Sequence, residues 1–383
     1  PRQALTSTRS SFAISRRAAL SRRALSVVAW AVALLCLLPM LAVLLAALTG
    51  GTDTIAHLID TVLGRYAANT ALLIVLVSLG TFAVGVGAAW LVTMTSFPAV
   101  RFFEIALVVP LAFPAYVLAY AYTSILDHPG IVQSTLRATM GWGPRDYWFP
   151  EIRSLGGAAL MLVLVLYPYV YLLARASFLQ QSGSTFVAAR ALGSRPWAAF
   201  LKVSLPLARP AIAAGVLLAV METIADFGTV SYFGVQTFAT GIYTSWFSMG
   251  DRAGAAQLAV CLLSFALLLA VLERAQRGQA KYHDTSRGQK HEPPLKLEGV
   301  QAWMAVILCG APVLFGAVFP LVALMSLGWD SEQNLLSDRY LRFVRNSLVL
   351  ASTAAVLTVV AAIALGFYQR MRPGRSSALA GYV

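Results

Sequence analysis

Eight runs of this chain are each long and apolar enough to cross a lipid bilayer: Leu25–Leu48, Ala67–Val92, Phe102–Ile125, Leu155–Ala176, Ala211–Val230, Ala253–Leu272, Ala302–Leu327 and Ser347–Tyr368. A ninth begins at Ser377. A hydrocarbon core about 30 Å thick takes about 20 apolar residues of helix to span. Lipid offers backbone groups no hydrogen bonds, so only helices and closed barrels cross it. A barrel would show alternating strands of roughly ten residues, and none is present. Hydrophobic residues make up 58% of the chain and charged ones 12%, far from the balance of a soluble domain. The expected fold class is an all-α polytopic membrane protein.

The net charge of +13 acts as a topology signal. If the N-terminus is cytoplasmic, the inside segments hold 21 of the 29 Lys and Arg residues. They comprise the basic segment 1–24, Arg101, Arg175, the 177–210 loop, the linker 273–301 and Arg370 to Arg375. That is the sign the positive-inside rule requires. Spread among loops without an RNA- or DNA-binding motif, these charges imply no nucleic-acid partner; the N-terminal arginines suit anionic membrane lipid. The first apolar run is too long for a cleavable signal and is expected to stay as an anchor.

One inside loop is more ordered than a simple connection requires. It reads FVAARALGSRPWAAFLKVSLPLARP from Phe186 to Pro210. Ser184 and Thr185 are N-cap candidates, and Gly193 suits the left-handed end of a short helix 186–192. Pro196 suits the first turn of a second helix, 197–203, which Pro206 is expected to interrupt. The pattern Ala188-Ala189, Gly193, Val203, Leu205-Pro206 resembles the EAA loop of ABC importer permeases. That motif runs Glu-Ala-Ala, three residues, Gly, nine residues, an aliphatic, any residue, Leu-Pro. In that family the loop is the coupling helix that docks into a groove of the cytoplasmic ATPase. The resemblance thus implies ATPase-coupling roles for Ala188, Ala189, Gly193, Val203, Leu205 and Pro206, and a cytoplasmic ABC ATPase dimer as partner. Val187 stands where the family has Glu, so no role resting on that carboxylate carries over.

A weak internal duplication sets the domain plan. Leu38-Pro39-Met40-Leu41-Ala42 is similar to Phe319-Pro320-Leu321-Val322-Ala323, and Arg65-Tyr66-Ala67-Ala68-Asn69-Thr70 to Arg342-Phe343-Val344-Arg345-Asn346-Ser347. The period implies two parallel halves joined by a polar linker. The expected plan is a cytoplasmic segment 1–24, a first repeat of six helices over 25–272 with its coupling loop at 184–206, an exposed tether at 273–301, and a partial second repeat over 302–383. By the same arithmetic the natural product continues for about another 150 residues.

Two acids lie in the fifth run. Glu222 and Asp226 lie one helical turn apart and so are expected to share a face. Charge buried in a span is costly and usually faces a cavity or a partner. They read either as translocation-path residues or as a packing pair. Glu104 is expected to snorkel or to pair with Arg101. Gly80, Gly85 and Gly87 in the second run suit close helix packing. The outside loop Asp127–Arg153, with Trp142, Tyr147 and Trp148, reads equally as a contact for a periplasmic substrate-binding protein or as an interfacial aromatic belt. The cysteines and histidines have no metal-ligand spacing.

The segment Met221–Ala259 resembles iron(III) ABC importer permeases of the fused two-repeat type. The resemblance implies a type I-like permease bundle in a bacterial inner membrane. It implies translocation of a substrate, ferric iron first, from a periplasmic binding protein to the cytoplasm. Thiamine and phosphonate permeases are near relatives. There is no GxxxxGK[ST], GxSxG or HExxH, so no enzyme activity, metal site or cofactor is expected, and ATP is expected on a separate subunit. An ion- or proton-coupled secondary carrier using Glu222 and Asp226 is the alternative.

Overall fold

The computed structural model describes residues 2–181, 193, 196–277, 295–329 and 337–371. Ala188 and Ala189, the cap candidates Ser184 and Thr185, and the run from Ser377 lie outside the described residues. Seven helices are long and apolar enough to cross a membrane, or eight if one bent pair counts as a span. The chain divides into two compact units, residues 1–48 with 332–383, and residues 49–331.

The first unit contains most of α1 (Arg2–Thr49) and all of α15 (Asp338–Met371). Ala29 and Tyr368 are buried together, with Leu365 packed against them.

The second unit is built around α3 (Gly64–Met94), α7 (Leu155–Gln180) and α9 (Leu205–Ala225). Ser154 caps the start of α7, its hydroxyl accepting from the Gly157 N–H at 3.2 Å. Small residues let the three helices approach closely. A Cβ on Gly85 of α3 would stand 2.7 Å from Val170 Cβ, and one on Gly215 of α9 would stand 2.7 Å from Val170 Cα. Gly80 likewise meets Val163, whereas a Cβ on Gly87 would meet nothing within 4 Å. Two of the three glycines expected in packing therefore serve it. Tyr167, Val170 and Tyr171 of α7 are fully buried at this junction.

The third apolar run is not one straight helix. It forms α4 (Val100–Ala106), a 3-10 turn over Val109–Ala112 and α5 (Ala115–Leu126), followed by α6 (Ile131–Met140); the two arms are bent by 89°. Pro110 and Pro114 account for the break, since each lacks an N–H and Pro114 holds an extended ψ of 136°. The fifth run also ends early. α9 stops at Ala225, Asp226 is extended, and a short α10 (Gly228–Tyr232) follows, then α11 (Phe238–Tyr243). Pro206, by contrast, interrupts nothing. Residues 197–225 form one span, running through α8 (Pro196–Ala199), a π turn at Phe200–Ser204 and then α9. In that wide turn the Leu205 N–H donates to the Phe200 carbonyl, and Pro206 falls in the first turn of α9.

The linker region is only partly a tether. α12 (Arg252–Arg277) leads into it, and its far end forms β2 (Leu295–Lys296). That strand pairs in parallel with β1 (Thr95–Ser96), Thr95 opposite Leu295 and Ser96 opposite Lys296. The Leu297 N–H donates to the Ser96 carbonyl at 3.0 Å. α13 (Val300–Val313) and α14 (Phe319–Trp329) follow, and Ala302, Ala305, Cys309 and Val313 enter the same core as α3 and α7.

Candidate functional site

The described part of the EAA-like loop divides into an exposed turn and an anchored stem. Gly193 has φ 87° and open space around it. That left-handed backbone favours glycine, because a Cβ would crowd the following carbonyl. Val203, Leu205 and Pro206 are half-buried, and Leu205 packs against the α3–α7 core. Ser204 is buried, and its carbonyl accepts from the Gln181 side-chain amide at 3.0 Å. The hydrogen bond ties the two sides of the loop together. Leu205 and the buried Ser204 thus seat the stem of the loop in the bundle, with Val203 and Pro206 half-buried beside them, while Gly193 stands at the exposed turn.

The two acids do not share one helix. Glu222 lies on α9 and is exposed within its unit. Asp226 lies beyond the helix end, and its side chain holds the first turn of α10. Its Oδ1 accepts from the Thr229 hydroxyl at 2.9 Å and its Oδ2 from the Val230 N–H at 3.1 Å. Asp226 therefore has a structural task in holding the break, while Glu222 makes no hydrogen bond or ion pair among the described residues.

At the end opposite the loop stem, polar side chains clamp the segment that follows the break. The Asn69 amide donates to the Gln236 carbonyl at 2.8 Å, the Arg65 guanidinium to the Gln236 side chain at 3.3 Å, and the Phe238 N–H to the Thr70 hydroxyl at 3.3 Å. The Arg65–Thr70 stretch that marked the duplication is thus an anchoring element. Arg153 Nε lies 2.8 Å from Asp127 Oδ2, its Nη1 donates to the Tyr232 carbonyl at 3.1 Å, and its charge sits 5.1 Å from the Tyr232 ring centre. The guanidinium hydrogen bond holds the Asp127 carboxyl below its usual range, and the carboxylate raises the guanidinium in turn. In the same loop Tyr147 donates to Gln133 at 2.7 Å and accepts from Arg137 at 2.8 Å, with Trp142 stacked on it at 5.5 Å. Trp148 is 85% exposed. Glu104 pairs with Arg175 of α7 at 2.9 Å, and not with Arg101.

Sequence reasoning missed the Arg153–Tyr232 contact and the rings around the loop stem. A Trp or Tyr near a span end is ordinary in a membrane protein, so neither stood out.

The family model for the binding-protein-dependent transport system inner membrane component matches residues 82–280. The Fe(3+)-transport system permease protein FbpB 2 of Haemophilus influenzae is 25% identical over 340 residues, 86% of this chain and 62% of that protein. The chain therefore spans less than two thirds of that relative. The molybdenum transport system permease protein ModB of Escherichia coli K12 is 28% identical over 191 residues, 48% of this chain and 80% of ModB. A putative 2-aminoethylphosphonate transport system permease protein, PhnU of Salmonella choleraesuis, is 25% identical over 232 residues, 58% of this chain and 79% of PhnU. Among solved structures, a chain of a bacterial alginate ABC transporter, crystallised with an alginate pentasaccharide-bound periplasmic protein, aligns with TM-score 0.56 and 17% identity. It covers 70% of this chain and 97% of its own length, which shows a shared fold. Because the family match takes in just over half of its 383 residues, this chain belongs to the binding-protein-dependent transport system inner membrane components.

Proposed function

We propose that this chain forms membrane-spanning permease machinery of an ABC importer, and that it carries ferric iron from a periplasmic binding protein to the cytoplasm. The observation that carries the reading is the alignment with an iron(III) permease over 86% of the chain. The family match at 82–280 contains the whole loop 184–206 and both Glu222 and Asp226. On this reading the N-terminus is cytoplasmic, which the arginine bias supports, and the loop turn at Gly193 meets an ATPase subunit that binds the ATP. Ala188, Ala189 and Gly193 are the residues that contact the ATPase, while Val203, Leu205 and Pro206 support them from the stem. Closure of the ATPases moves the loop and biases the bundle between two access states. Glu222, the acidic residue of α9, faces the water-filled path, where charge is tolerated.

The test is uptake by the complete permease, reconstituted with its ATPase and binding protein in ATP-loaded vesicles. Labelled ferric iron should accumulate, stop on ATP depletion and persist with an uncoupler. Uptake of molybdate, thiamine or a phosphonate instead would replace the substrate. Uptake that survives ATP depletion and collapses with the uncoupler would overturn the importer reading in favour of a coupled carrier.

A further inference from the structure

Four aromatic rings from three spans meet beneath the stem of the loop. Trp90 lies near the end of α3, Phe178 near the end of α7, and Trp197 and Phe200 at the start of the span that follows the loop. The Trp90 ring centre stands 5.0 Å from that of Phe200 and 5.9 Å from that of Trp197. Trp197 and Phe200 are 5.3 Å apart, and Phe178 meets Phe200 edge-on at 6.1 Å. These separations all fall in the range of attractive aromatic pairs. Phe178 and Phe200 are buried, while Trp197 is 58% exposed. The cluster therefore runs from the surface at the loop into the core between α3 and α7.

We infer that Trp90 is a positioning residue that passes displacement of the loop sideways into α3, through the rings of Trp197 and Phe200. A movement starting at Gly193 reaches Trp197 and Phe200 before it reaches Val203, Leu205 or Pro206. Phe200 opens the π turn, and π turns sit disproportionately at functional positions. A ring with two side-chain torsions moves as a block, so the push is transmitted and not absorbed. A tryptophan at a span end is commonly an interfacial anchor with its N–H in water. Trp90 is different: its indole Nε1 is buried and has no hydrogen-bond partner among the described residues. What the position uses is ring surface, so phenylalanine should serve and alanine should not.

The inference rests on the importer reading, and the experiment separates the two. The complete permease, purified with its ATPase, carries a single reporter cysteine, Phe247→Cys, at an exposed position in the turn Thr244–Ser248 that follows α11, with Cys36, Cys261 and Cys309 replaced by alanine. Maleimide labelling is timed with and without ATP and vanadate. In the parent the nucleotide should change the rate by about fivefold or more, the lower end of ordinary coupling between sites. In Trp90→Ala the ATPase should still co-purify and hydrolyse ATP, but the change should fall below about twofold. Trp90→Phe should restore it, and Phe103→Leu, a core change outside the cluster, should leave it intact. If Trp90→Ala fails to accumulate, Phe200→Leu keeps a branched apolar side chain and removes the ring, and should uncouple in the same way. A full nucleotide response in Trp90→Ala or in Phe200→Leu overturns the inference. Absence of an ATPase or of any response in the parent overturns the importer reading, and this inference with it.

Discussion

The Asp127–Arg153 pair shows how much one side chain can hold and how little energy that takes. Arg153 uses three of its features at once: Nε to the carboxylate, Nη1 to the Tyr232 carbonyl, and its flat face to the Tyr232 ring. Lysine could supply the charge but not the fork or the face. The side chains are 41% and 29% exposed, so the ion pair is worth about 1 kcal/mol or less. Its pH dependence has a definite sign. The folded carboxyl titrates below the ordinary 3.8 of a free aspartate. The unfolded chain therefore takes up its proton first, and stabilisation is complete above that value and lost as pH falls through the folded one. The melting temperature of detergent-solubilised protein should be lower in Asp127→Asn than in the parent at neutral pH. The gap should persist undiminished down to about pH 5 and close only below 3.8. A gap that closes between pH 7 and 5 would point to a different group.

The helices owe their packing to a few glycines, and here a substitution discriminates sharply. A Cβ on Gly215 would meet backbone, Val170 Cα at 2.7 Å and the Tyr169 carbonyl oxygen at 3.0 Å. Backbone cannot rotate out of the way, so Gly215→Ala should push α9 off α7 and cost about 1–3 kcal/mol. Gly87→Ala adds its methyl to open space and should be neutral or slightly stabilising, since alanine is the better helix former. Heating each variant in detergent and measuring what remains monodisperse checks the contrast; equal losses would mean that close packing is not what Gly215 provides. The existence of the spans was legible in the sequence, because period and length of apolar runs carry it directly. The breaks were not. Hydropathy runs smoothly through Pro110, Pro114 and Asp226, and only the backbone reveals that the helix is broken at these positions while it continues through Pro206. For the candidate site, the turn at Gly193 was legible because a left-handed residue has a sequence signature. The ring cluster was not, because it joins positions 90, 178, 197 and 200, which no local pattern connects.

On the scale of the whole molecule, the end of the linker does more than its composition suggests. Proline, charge and polarity mark 273–301 as a tether, yet Leu295-Lys296 pairs with Thr95-Ser96 and Leu297 packs against the α3–α7 core. A two-residue strand pair is weak by itself, but here it is reinforced by α13, whose buried face contributes Ala302, Ala305 and Cys309 to the same core. The span after the linker is therefore seated on the helices that precede it, at the end where the loop stem also lies. A cross-link tests this arrangement. Neighbouring strands lie about 4.8 Å apart, within the Cα separation that a disulfide accepts. Ser96→Cys with Lys296→Cys, in a background lacking Cys36, Cys261 and Cys309, should form a disulfide on mild oxidation. With a protease site placed between 278 and 294, the two cleaved fragments should migrate together on a non-reducing gel and separate on reduction. The register gives a control: Ser96→Cys with Glu298→Cys is displaced along the strand and should link far more slowly. Equal rates for the two pairs would mean that the linker end samples the surface freely and that α13 alone holds the contact.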